Sequence, residues 1–130
     1  MEEYIFDGEL FAIIIRNSYD KEGITFFTDE TLSQQLAYMN HPKGKLIQPH
    51  IHKPIERTVA YTQEVLIIKD GILKVNFYSE QQTYLESILL KKGDIILLIK
   101  GGHGFSVTED VKMIEVKQAP YAGDKDKIRF

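Results

Sequence analysis

From Glu64 to Gln118 the chain is a succession of short runs rich in β-branched and aromatic residues, EVLIIK, ILKVNFYS, TYLESILL and IILLI, each closed by a turn signal. Asp70-Gly71, Ser79 to Gln82 and Lys91 to Asp94 separate them. Strands this short, at this spacing, predict an all-β architecture, a barrel or a sandwich. The first half adds Phe11 to Ile15 and Ile24 to Phe27 as strands, with Gln35 to Met39 leaning the same way, and Thr28-Asp29-Glu30 as the cap of one helical turn. Gly104 to Thr108 and Val111 to Gln118 read as a closing hairpin around Glu109 and Asp110.

At 130 residues one domain is expected, burying roughly two-thirds of the surface of its unfolded chain. A hydrophobic share of 43% and a charged share of 27% fit a globular domain rather than a fibrous or disordered one. The net charge of −3 and the lack of long Lys/Arg runs argue against nucleic acid as the main partner. The N-terminus MEEYIFDGE is acidic where a secretory signal is basic, and FAIII and IILLI are too short to span a membrane, so no membrane partner and a cytoplasmic location are expected. With no cysteine, a metal would be held by His and carboxylate alone.

Candidate chemistry concentrates between Gly44 and Gly71. His50 and His52 lie two apart in Leu46 to His52, which reads as a strand, so both imidazoles are expected on one face. Glu64 opens the EVLIIK run, and Asp70-Gly71 suits a tight hairpin that would fold this carboxylate back towards the histidines. His103 follows a two-glycine bend. Neutral imidazoles and a carboxylate suit Fe, Mn, Ni, Zn or Cu without choosing among them. His41, beside Pro42, reads as a surface residue. Arg57 would suit a substrate carboxylate or phosphate, and Tyr61, Phe77, Phe105 and Tyr121 are aromatic candidates for pocket walls. Met113, Glu115 and Lys117 share a strand face, for which an outward orientation is the simpler expectation. The closing residues 119–130 read as a solvated tail, although Lys125, Lys127 and Arg129 would attract an anion if it folded over the mouth.

These residues resemble the two motifs of the cupin superfamily. Gly44, five residues, then His50 and His52 match the opening of the first motif, and Glu64, six residues, then Gly71 match its close, over about residues 44–71. Gly93, five residues, Ile99, Gly101 and His103 follow the second motif in outline, over about residues 93–107. Eleven residues separate His52 from Glu64 where the motif has three or four, so Glu56 also satisfies the short spacing, while Glu64 keeps the register to Gly71. Ile99 stands in place of the motif's Pro, and Val107 in place of its Asn. Residues 53–62 would then be an insertion at the mouth.

The resemblance implies a single domain over residues 1–130: an antiparallel β-barrel or double-sheet jelly roll with one metal held by His50, His52, Glu64 and His103, and a homodimer. The fold hosts many functions; the one expected here is a metal-dependent enzyme acting on a small oxygen-rich metabolite, as a sugar-derivative isomerase or epimerase or a dioxygenase, with Glu64 as base. A small-ligand-binding or sensing module is the alternative.

Overall fold

A computed structural model describes residues 1–130, and ten strands account for nearly all of its regular structure. They are β1 (Glu2–Phe6), β2 (Glu9–Ile15), β3 (Gly23–Phe26), β4 (Ala37–Asn40), β5 (Glu64–Asp70), β6 (Ile72–Tyr78), β7 (Tyr84–Lys91), β8 (Ile95–Leu98), β9 (Gly102–Ser106) and β10 (Lys112–Lys117). The only helical element is a 3-10 turn at Gly123–Asp126, and no helix is long and apolar enough to cross a membrane. The protein is all-β with antiparallel pairing throughout. Two units are compact: Met1–Tyr19 together with Tyr61–Phe130, and Asp20–Ala60.

The first unit contains a five-stranded sheet ordered β1-β2-β8-β5-β10 and a three-stranded sheet ordered β7-β6-β9. No ladder joins the two into a closed barrel. Alternation decides which side chains meet between them. Ala12, Ile14, Leu66, Ile68, Ile96 and Leu98 from the larger sheet pack with Leu73, Val75, Phe77, Ile88 and Leu90 from the smaller, all nearly inaccessible. Burying each large member contributes about 1.5–3 kcal/mol. β2 and β8 are buried on the opposite face too, through Ile13, Ile15 and Leu97, which is why both read as continuous apolar runs.

The expected hairpin across Asp70-Gly71 is instead a corner: β5 pairs with β8 and β10, whereas β6 pairs with β7 and β9. Both runs carry apolar residues at alternate positions, and placing them in facing sheets buries each set against the other. The same logic separates β9 from β10, expected as a closing hairpin. Hairpins do form at Asp7-Gly8, where both residues have positive φ (50° and 76°), and at Ser79–Thr83, where the Ser79 N–H bonds the Thr83 carbonyl at 2.8 Å. At the β7–β8 corner the Asp94 carboxylate accepts hydrogen bonds from the Asn17 N–H (2.9 Å), the Lys91 N–H (2.8 Å) and Arg16 Nη1 (3.0 Å).

In the second unit β3 pairs with β4. The helical turn expected at Thr28 is absent, because Asp29 Oδ1 takes the Thr31 N–H at 2.8 Å in a local turn and Thr28 Oγ1 accepts from the Leu36 N–H. The strand expected over Leu46 to His52 is absent as well: residues 45–60 form no ladder. Pro49 and Pro54 have no N–H to donate, and Leu46 and Ile51 are 89% and 93% exposed, so burial offers no compensation.

Candidate functional site

Glu64 is the first residue of β5 and shares its inward face with Leu66 and Ile68. His103 is the second residue of β9 and lies opposite Phe77 of β6, itself inward-facing. The two side chains therefore come from different sheets, and they meet with His103 Nε2 3.2 Å from Glu64 Oε2. The hydrogen bond from His103 holds the Glu64 carboxyl below its ordinary value of 4.5, against burial acting in the opposite direction, with His103, Lys117 and Lys127 adding favourable charge. Phe105, two residues further along β9, lies beside the His103 ring with centroids 5.5 Å apart.

Lys117 pairs with Glu64 in the ladder, and Glu115 with Leu66. Glu115 and Lys117 thus project on the inward-facing side, not outward as expected. β10 is the edge of the larger sheet, so both side chains stay partly in water, 44% and 27% exposed and 3.9 Å apart. Desolvation, the reason for expecting them outside, is thereby limited.

His50 and His52 are exposed in the second unit, their rings 5.0 Å apart. The neighbouring imidazoles expected from their spacing are present, but on irregular backbone, with His50 Nδ1 3.1 Å from the Gln48 carbonyl. Glu56 and Arg57 are exposed in the same segment. No three His, Asp or Glu side chains are gathered into a group able to hold a metal ion. His41 differs from its surface expectation: it is partly buried, and its Nε2 is covered with no hydrogen-bond partner.

A cavity of about 910 Å³ adjoins the Glu64–His103 pair, at the end of the first unit where β5 and β9 begin and β6 ends. Tyr61 lines it as expected; Tyr121 does not, being 83% exposed outside it. Lys127 and Arg129 of the closing segment line it too, where the simpler expectation is a solvated tail, and so do Tyr78 and Phe130, to which no sequence signal pointed as pocket walls.

No family model, no curated protein and no solved structure matches the chain.

Exchanging Glu64 for Gln tests the electrostatics of the pair. The folded-state value of Glu64 is lowered, so its ionisation stabilises the fold above the unfolded-state value and that contribution is lost as pH falls through the folded one. Wild type is expected to exceed Glu64→Gln by about 1.5 kcal/mol near neutrality, the lower end for a hydrogen bond to a charged group. Urea unfolding from pH 7 down to pH 3 should show that advantage shrinking; a constant difference would contradict the assignment.

Proposed function

We propose that the chain is a cupin-like jelly roll that holds one divalent transition metal with His50, His52, Glu64 and His103 and acts as a metal-dependent enzyme on a small oxygen-rich metabolite. The observation carrying this reading is the meeting of Glu64 and His103 from opposite sheets at 3.2 Å. These are the residues that the two motifs assign as ligands, and nothing local in sequence would bring them together. The alternation of consecutive strands between sheets at β5–β6, β7–β8 and β9–β10 also agrees with a jelly roll.

The donors fit the metal in kind. An imidazole nitrogen and a carboxylate oxygen already converge, and a second imidazole pair, His50 and His52, stands in the exposed segment. When bound, the metal supplies Lewis-acid polarisation of a substrate oxygen, in isomerisation or epimerisation of a sugar derivative or in oxygenation of a small acid or diketone. The His103 hydrogen bond to Oε2 favours the ionised, oriented form of Glu64, and the other carboxylate oxygen, Oε1, is the one to take a proton. The apolar face that Ile24, Phe26 and Met39 present to solvent on β3 and β4 favours a homodimer.

Metal analysis of protein purified without a histidine tag tests the reading. About one metal per chain is expected, with affinity reduced at least about tenfold in each of His50→Ala, His52→Ala and His103→Ala, as removal of a ligand should exceed the effect of removing its hydrogen-bond partner. Absence of metal, or unchanged metal content in all three variants, would sink it. The lack of any group of three donors favours a second reading, a metal-free module that binds a small ligand in the cavity. Turnover of a substrate that disappears in His52→Ala with the fold intact separates the enzyme from the module.

A further inference from the structure

We infer that β10 is the contact strand for a second copy of this chain. Two β10 strands pair antiparallel about a two-fold axis at Val116, with each Glu115 facing the partner's Lys117. This interface involves neither the metal reading nor the apolar face of β3 and β4.

β10 ends the larger sheet and pairs only with β5. Five of its six residues are exposed, among them Met113, Ile114 and Val116 at 38%, 45% and 51%. Ile114 and Val116 lie opposite Ile67 and Val65 in the ladder, so β5 and β10 together present an outer face of β-branched side chains. A strand edge left bare beside such a face is a template for another strand.

The charges along β10 select the occupant and the register. In a continuous sheet the two-fold stands perpendicular to the sheet. Two copies of one strand then face each other about a single residue, and residues equally far from it on either side lie opposite. About Glu115 two carboxylates meet, and about Lys117 two ammonium groups. About Ile114, Glu115 lies opposite Met113 and Lys112 opposite Val116, so each charge faces an apolar side chain. About Val116, Glu115 lies opposite Lys117 twice, Val116 meets its own copy and Ile114 meets Gln118. Opposite charges directly across strands stabilise a pair and like charges destabilise it. Both side chains can reach a partner, being 44% and 27% exposed. Lysines on a bare edge discourage pairing, but here Lys117 is matched and Lys112 lies opposite Pro120, beyond the paired stretch. β1, the other edge of the sheet, carries Glu2 and Glu3 and no cation, so no register there offers an opposite charge.

The chain has no cysteine, so single-cysteine variants report the register. Directly opposite Cα atoms lie about 4.5–5.5 Å apart, within reach of a disulfide. Val116→Cys treated with diamide should therefore form a covalent dimer at least about tenfold faster than Ile114→Cys or Lys112→Cys. In sedimentation velocity, wild type should pass from monomer towards dimer between about 10 µM and 1 mM, because one strand pair makes a small, weak interface. Glu115→Lys sets lysine against lysine at both pairs and should raise the dissociation constant about tenfold. Lys117→Glu should do the same with carboxylates, and mixing the two variants, which matches both pairs again, should restore association. Lys117→Glu also sets a carboxylate opposite Glu64, so circular dichroism checks its fold; should it unfold, the cross-linking order and Glu115→Lys decide alone. A wild type monomeric throughout, an unaffected Glu115→Lys variant, or faster cross-linking at 112 or 114 would each overturn the inference. So would a mixture no tighter than its components, or species larger than a dimer, which would mean β10 meeting β1 of the next copy.

Discussion

Replacing Asp94 with alanine is expected to lower the unfolding free energy by about 3–5 kcal/mol, the range for removing one member of a buried charge network. Its carboxylate is 7% exposed and accepts three hydrogen bonds from two pieces of chain: the Lys91 N–H at the end of β7, and the Arg16 side chain and Asn17 N–H just after β2. Truncation leaves two backbone donors and a guanidinium without their acceptor, at about 1–3 kcal/mol for each group that water cannot reach. Glu2, 2.7 Å from Arg16 Nε, would retain the guanidinium, so the backbone donors carry most of the loss. Asp94→Asn keeps the shape and part of the acceptor capacity and should cost about half as much. With no tryptophan in the chain, urea titration followed by tyrosine fluorescence is the appropriate measurement. A loss below 1 kcal/mol for Asp94→Ala would contradict the network's role. Domains of this size have about 5–15 kcal/mol in hand, so the variant is expected near the limit of folding at 37 °C.

Gly71→Ala is expected to cost about 3 kcal/mol from two sources. Its φ of +81° is a conformation that costs an L-residue about 1–2 kcal/mol. A Cβ at this position would also fall 1.9 Å from the Asp110 carbonyl oxygen, so backbone must move, at about 1–3 kcal/mol for overpacking. Gly8→Ala is the control, with φ +76° and nothing within 4 Å of the added carbon. It should lose only the conformational part. If thermal unfolding showed equal losses for the two variants, the close approach of the β5–β6 corner to Asp110 would have no energetic weight.

The same corner shows what local sequence can and cannot reveal. Asp70-Gly71 announces a reversal with positive φ, and the reversal is there. A hairpin and a corner ask the same of those two residues, however, and which sheet each flanking strand joins depends on β8, β9 and β10, remote in sequence. Burial was legible: EVLII and IILLI are strands because both lie inside the larger sheet. The motif resemblance names Glu64 and His103 as ligands of one metal, and between these two residues the structure has a 3.2 Å contact. Leu46 to His52 reads as a strand because Pro49 excludes a helix, yet the same proline removes a donor that a strand must offer. Lys127 and Arg129 line the cavity, as a tail folded over the mouth would place them, whereas Phe130 was beyond reach, since a polar tail carries no periodicity to say where it docks.

β2 finds its inner partner late. Ile13 pairs with Leu97 of β8, so during synthesis the FAIII run must wait for most of the chain before the larger sheet can close. At about 5–20 residues per second, that delay lasts on the order of several seconds. Meanwhile β1 can shield only one edge of β2, and the apolar run remains a template for wrong pairing. Glu2, Glu3 and Glu9 on the early hairpin place negative charge around that run, where it would discourage self-association of nascent chains.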